Sequence, residues 1–327
     1  MRIGVNGRLS AVELLLGSAL IASAAPGWAQ QYPVRPIRMI VALAAGGPTD
    51  VVARIVAHKL TEFLGQQVIV DNRPGAGGSV AGELVARAPA DGYTLFFAAN
   101  GTYAIAPNFM KLPYEVQKDL APVALTGVSP LALMVHPSVP AKSVKELIAL
   151  ARAKPGAMHY GSAGQGSTGH LSAELLGMMA KVKMTHVPYR GAAPAAVAVM
   201  SGEVEMLISG VSANHPYIVA GKVRALGVTS AKRVPLLPQV PAIAESLPGY
   251  DVASWFAIMT VAGTPPAIVA RLNQEAVKAM ASSDVREKLI GAGVDPETGT
   301  PEQLAVKVRT ETEKWGKVVK AAGMKPQ

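Results

Sequence analysis

From residue 33 onward, short apolar runs alternate with longer amphipathic stretches. Ile37, Met39, Ile40, Val41 and Leu43 form a nearly continuous run, which suits a strand covered on both faces. Val51, Val52, Ile55, Val56 and Leu60 then recur at helical spacing, and Gly65 supplies a stop. Residues 67–70 predict a second strand, residues 80–88 an Ala/Val-rich helix and residues 94–98 a third strand, ending at Asn100-Gly101-Thr102. This is a βαβαβ run with glycine-rich turns at the carboxyl ends of its strands. Pro107-Asn108 and Leu112-Pro113-Tyr114 mark an irregular connection. Residues 123–135 are extended, interrupted by Ser129-Pro130, and predict a crossing into another lobe.

The second half repeats this logic without a repeat in the sequence itself. Ser143, with Glu146 three residues on, predicts a capped helix to residue 153, stopped by Pro155-Gly156. A strand over 158–160, a helix over 168–179, a strand over 185–187, a helix over 193–200 and strands over 206–209 and 222–229 follow. The proline-punctuated segment 235–248 reads as a surface connection, and residues 251–261 as the return crossing. Helices over 267–282 and 301–322, separated by Gly291-Ala292-Gly293, should pack back on the first lobe. The fold class is therefore α/β with two lobes, each a β-sheet flanked by helices, and a ligand cleft between them. The expected division places residues 30–128 with 257–327 in the first lobe and residues 129–256 in the second.

Two turns stand out in this frame. Ala44-Ala45-Gly46-Gly47-Pro48-Thr49-Asp50 and Tyr160-Gly161-Ser162-Ala163-Gly164-Gln165-Gly166-Ser167-Thr168-Gly169-His170 each follow a strand and open a helix. Each should present free backbone N–H groups and hydroxyls to an anion, as two sides of a clamp.

Composition agrees with a packed α/β chain: of 327 residues 50% are hydrophobic and only 5% aromatic, with 32 Gly and 25 Pro to serve many turns. Residues 1–29 read separately, as a secretory signal peptide: Arg2 and Arg8 form a basic start, residues 14–25 an apolar stretch too short to span a bilayer, and Gly27-Trp28-Ala29 a small-x-small cleavage site. The chain carries 31 basic and 22 acidic residues, and removing Arg2, Arg8 and Glu13 leaves 29 and 21, a net charge of +8. No Lys/Arg block or aromatic-basic interleaving accompanies that charge, so no nucleic-acid partner is expected. Cysteine is absent, which removes disulfides, thiol nucleophiles and Cys-metal sites from consideration.

Other chemistries lack a partner they require. Gly164-x-Gly166-x-x-Gly169 matches the dinucleotide fingerprint, but Met184-Thr185-His186-Val187 offers no carboxylate for a ribose. Gly161 and Gly166 have P-loop spacing, but Ser167 stands where Lys is needed. Ser162 and Ser167 each lack one flanking glycine of a nucleophile elbow, and His170 lies on the same helix start as Ser167. The six histidines include no H-x-x-x-H pair. Asp50 could face a cationic ligand group or satisfy its own helix terminus. No cofactor and no catalytic residue is expected, and what remains is a polar receptive surface.

The residues also resemble a family, the substrate-binding proteins of tripartite tricarboxylate transporters, often called Bug proteins. The likeness runs through the 44–50 turn, Asp71-Asn72-Arg73-Pro74-Gly75-Ala76-Gly77-Gly78, Ala90-Asp91-Gly92-Tyr93-Thr94-Leu95 and Leu112-Pro113-Tyr114. It continues through the 160–164 turn, His186-Val187-Pro188-Tyr189-Arg190-Gly191, Gly221-Lys222-Val223-Arg224-Ala225-Leu226 and Val228-Thr229-Ser230. The resemblance implies a periplasmic two-lobed binding protein, expected as a monomer, that closes on a small carboxylate and delivers it to membrane permease subunits. It implies ligand contacts from Gly46, Gly47, Thr49 and Asp50, from Ser162, Ala163, Gly164 and Ser167, and from Asn100 and Thr102 in the next strand-end loop. Where the family commonly has Met-Phe-Asp, this chain has Leu207-Ile208-Ser209. Ser209 in place of an acid favours a dicarboxylate, tricarboxylate or aromatic acid over an amino acid. A secreted hydrolase or lyase acting on an acidic substrate, and a ligand-presenting sensor, are the competing readings.

Overall fold

The computed structural model describes Met1 and residues 32–324. Apart from Met1, the expected leader lies outside the described residues. The described residues from Pro33 to Met324 belong to one compact unit.

Within the larger unit the chain begins with β1 (Ile37–Val41), α1 (Pro48–Leu64), β2 (Val68–Asn72), α2 (Ser79–Ala86) and β3 (Thr94–Ala99). A wide helical turn, Gly101–Ile105, and the short α3 (Val116–Asp119) lead to β4 (Leu120–Val135). Next come α4 (Val144–Ala153), β5 (His159–Ser162), α5 (Thr168–Ala180), β6 (Thr185–Pro188), α6 (Ala192–Ser201) and β7 (Met206–Gly210). The chain finishes with α7 (Val211–Val219), β8 (Arg224–Val228), β9 (Ala253–Val261), α8 (Pro266–Ala281), α9 (Ser283–Gly291) and α10 (Pro301–Ala321).

The sheet order is β2-β1-β3-β9-β4-β7-β5-β6, with β8 also on β4. β1, β2 and β3 are parallel, as are β5, β6 and β7, while β4 and β9 run antiparallel to their neighbours. β4 is the seam. Its residues from Leu120 to Pro130 pair with β9, and its residues from Leu131 to Val135 pair with β7 and β8. One strand thus belongs to two curled half-sheets, each with its own parallel βαβ units, and the turns after β1 and β5 sit at the carboxyl ends of those units. The Ser129-Pro130 interruption falls where the partner changes, so a proline without an N–H is tolerated there.

Local rules account for the elements that carry these turns. α1 starts on Pro48 at its first position, buries Val52, Ala53, Val56, Leu60 and Leu64, and ends on Gly65, left-handed at φ 66; a missing N–H is harmless at a helix start and a glycine suits the left-handed stop. α5 starts on Ser167, whose hydroxyl accepts the His170 N–H. Between the half-sheets and α10 lies an aromatic core, in which the fully buried Tyr103 stacks on Trp255 at 6.0 Å and meets Phe96 edge-on at 5.3 Å. The Tyr103 hydroxyl donates to the carbonyls of Phe96 and Ala257, which anchors the wide turn after β3 and satisfies a buried O–H. Among the described residues no helix is long and apolar enough to cross a membrane.

Candidate functional site

The first turn is organised by Asp50. This carboxylate is 3% exposed; it accepts the Gly46 N–H at 2.8 Å, Arg54 Nε at 3.0 Å and Asn72 Nδ2 at 2.9 Å. Asn72 also donates to the Leu43 carbonyl at 3.0 Å, so β2 braces the turn after β1. Burial works to raise the Asp50 carboxyl, but the hydrogen bonds from Arg54, Gly46 and Asn72 outweigh it and hold the group below its ordinary value. Asp50 is therefore an ion already paired inside the turn. What the turn leaves open is different: the N–H groups of Thr49 and Asp50 find no acceptor among the described residues, nor does the Thr49 hydroxyl, although Thr49 is only 2% exposed.

The second turn is also internally braced. Ser162 is fully buried, and its Oγ lies 2.6 Å from His186 Nε2 and 3.1 Å from both the N and the O of Gly164. The Gly166 N–H donates to His170 Nδ1 at 3.1 Å, the Ser167 N–H to the Gly164 carbonyl, and the His170 N–H to Ser167 Oγ at 3.3 Å. Gly164 and Gly166 adopt φ of 122° and 77°, values that disfavour side chains, and a Cβ on Gly166 would lie 2.5 Å from the Phe109 ring. The N–H groups of Ala163, Gln165, Thr168 and Gly169 remain without an acceptor among the described residues. They are the donors this turn has to offer.

The other expected site residues divide in the same way. Asn100, fully buried, donates to the Ala253 carbonyl and accepts from Ser254 Oγ, each at 3.3 Å, tying the end of β3 to the start of β9. Thr102 donates to the Gly77 carbonyl at 3.2 Å, and a Cβ on Gly78 would come within 2.7 Å of its Oγ1. Ser209, 8% exposed and paired with Ala132 on β4, has a hydroxyl with no partner among the described residues. Thr49 and Ser209 thus carry hydroxyls without a partner among the described residues and Ala163 an unengaged N–H, whereas the N–H groups of Gly47 and Gly164 are spent on the Ala44 carbonyl and Ser162 Oγ. Gly46, Asp50, Asn100, Thr102, Ser162 and Ser167 all make bonds that hold their own turns or strand ends.

Sequence spacing does not bring His170 and His186 together, yet their rings stack at 3.8 Å with 13° between planes. Tyr160 stacks beside both, at 5.0 Å from His186 and 6.2 Å from His170, and its hydroxyl bonds Glu174. The parallel register that sets Tyr160 opposite His186 is the signal that could have found the pair. Burial, and then the neighbouring His186, push the His170 imidazole down to about 4, and burial lowers His186 as well. Both rings are neutral at neutral pH. Among the described residues no group of three or more His, Asp or Glu side chains is placed to hold a metal.

Two half-sheets sharing crossover strands, with braced glycine turns opening helices on each, define a two-lobed periplasmic binding protein. The chain belongs to the tripartite tricarboxylate transporter receptor family, TctC, whose model matches residues 52–324. It is 37% identical over 320 residues to protein BugT of Bordetella pertussis, covering 97% of this chain and 98% of that one. Among solved structures it is similar to Rpa4515 of R. palustris with adipate, at 39% identity and TM-score 0.76, covering 90% of this chain and all 100% of that one. It is also similar to MatC (Rpa3494) of Rhodopseudomonas palustris with bound malate, at 35% identity and TM-score 0.72, covering 88% of this chain and 100% of that one.

Proposed function

We propose that this receptor captures a small carboxylate lacking an ammonium group, a dicarboxylate first among them, and hands it to membrane permease subunits of a tripartite tricarboxylate-type transporter. One observation carries the reading: the turns opening α1 and α5 each keep at least two N–H groups unengaged, while Asp50, Ser162 and His170 are already engaged within the turns. Helix N-termini with free N–H groups favour an anion. Adipate and malate in the two similar structures are both dicarboxylates. Asp50, paired to Arg54 and enclosed, is a brace and not a counter-ion for a substrate amine. Ser209 adds a neutral hydroxyl where an acid would otherwise attract one.

Closure follows from the seam. β4 changes partner after Pro130 and β9 pairs with the first half-sheet from Ala253 onward, which supports a division close to the expected 128/129 and a return crossing just before Ala253, a few residues ahead of the expected 256/257, with hinge residues close to both crossings. The protein acts as a monomer in the periplasm after cleavage near residue 29, and it does not turn over its ligand. The Ser162–His186 contact invites a hydrolase reading, but Ser162 is enclosed on both sides by Gly164 and carries no exposed surface. A serine nucleophile needs access to its substrate. Calorimetry with succinate, malate, adipate, citrate, benzoate, aspartate and glutamate tests the proposal. Tighter binding of the two amino acids than of the simple dicarboxylates would overturn the specificity, and appearance of a product would overturn the receptor.

A further inference from the structure

The second turn rests on a closed set of contacts that its ligand-facing groups do not explain. Tyr160 bonds Glu174, and Glu174 Oε1 stands 3.9 Å from His170 Nε2. His170 Nδ1 accepts the Gly166 N–H, and the His170 ring lies face to face with His186, which holds Ser162. An imidazole nitrogen accepts only when it carries no proton. His170 must therefore be neutral with its hydrogen on Nε2, toward Glu174. The charged group facing the pair from α5 is Glu174; Tyr160 faces it from β5. Beyond β6, Tyr189 carries its hydroxyl on Glu203 at 2.7 Å, and Arg190 is exposed.

We propose that the His170–His186 stack is a positioning device for the carboxylate-binding turn: His170 draws the Gly166 N–H inward, His186 fixes Ser162 and through it Gly164, and the N–H groups of Ala163 and Gln165 are thereby left free for the ligand. The inference rests on the receptor reading given above. The assignment has a stereochemical logic, because the N–H groups from Ala163 to Gly166 are alternately unspent and spent. Gly164 and Gly166 are taken, by Ser162 and His170; Ala163 and Gln165 are not. If either acceptor is lost, a spent N–H must find another partner, and the turn that presents the unspent ones changes shape.

The test uses isosteres. In His170→Asn the amide oxygen falls near the position of Nδ1, and in His186→Gln the terminal amide falls near Nε2, whereas His170→Leu and His186→Leu remove the hydrogen-bonding groups. Malate and adipate are titrated calorimetrically into each variant. The leucine variants are expected to lose affinity about tenfold or more, the scale of one hydrogen bond to a charged group, and the amide variants to restore it to within about threefold of the native protein. In the ligand-free protein at pH 7, long-range nitrogen–proton NMR is expected to show His170 protonated on Nε2 and bare on Nδ1. Unchanged affinity in a folded leucine variant, amide variants as weak as the leucine ones, or a proton on Nδ1 would each overturn the inference. Should a leucine variant not fold, the amide variant and the tautomer decide. If the native protein binds no acid at all, the receptor reading fails, and the nitrogen spectrum still decides what His170 does.

Discussion

Thr49→Val separates binding from stability. Thr49 is the second residue of α1, 2% exposed, with a hydroxyl that bonds nothing among the described residues. Valine keeps the β-branched shape and removes only the O–H. The Thr49 hydroxyl oxygen still touches solvent, so it contributes little to the ligand-free fold and the variant should match the native stability to within about 1 kcal/mol. A hydroxyl donating to a carboxylate is worth about 1.5–3 kcal/mol, so affinity for malate or adipate should fall roughly 10- to 150-fold. Urea unfolding gives the first quantity and titration calorimetry the second. A variant that binds both acids as well as the native protein would refute the placement of Thr49 against the ligand, and one destabilised by several kcal/mol would refute its lack of a partner in the fold.

The remaining predictions concern the second lobe. The depressed folded-state value of His170, about 4 against an ordinary 6.5, means that the native state binds fewer protons than the unfolded state across that interval. Stability from this group is therefore complete above about pH 6.5 and is lost as pH falls toward 4, by on the order of 3 kcal/mol. His186, also lowered, adds in the same direction, and His170→Asn should flatten the profile of unfolding midpoint against pH. A Cβ on Gly169 would stand 2.2 Å from the Ile208 carbonyl oxygen, so Gly169→Ala must push α5 off β7. It should cost about 1–3 kcal/mol in chemical unfolding and weaken ligand binding as well. Ser209→Asp should raise aspartate binding relative to succinate, measured by competition; an unchanged ratio would remove Ser209 from the specificity argument.

The strands and helices flanking both turns were legible because each obeys a local rule: the apolar run before Ala44, Pro48 at a helix start, Gly65 at its stop, Ser167 as a cap. α7 was not, because Asn214-His215-Pro216 breaks the apolar spacing and Pro216 lies inside the helix. α9 was hidden by Ser282, which closes α8 and opens α9 at once. The continuity of β4 through Pro130 depends on a change of partner, a tertiary fact that no local window contains. Within the site, spacing identified which turns open helices but not which of their groups are spent. Asp50, Ser162 and Thr102 are expected as ligand contacts from the sequence, and only the structure shows that each also bonds within its own turn or to a neighbouring one. The histidine stack depends on pairing β5 with β6 and laying α5 across them, so neither ring announces itself to local pattern.

The most direct test of the central claim is a thermal unfolding screen of the protein against mono-, di- and tricarboxylates, with the solution assayed for product afterwards. A ligand that binds only the folded state adds RT ln(1 + [L]/Kd), about 2.7 kcal/mol at a hundredfold excess over Kd. A saturable upward shift in Tm with malate, adipate or a related dicarboxylate, and the acid recovered unchanged, is the predicted result. No shift with any of these acids, or conversion of the acid during incubation, would contradict the account.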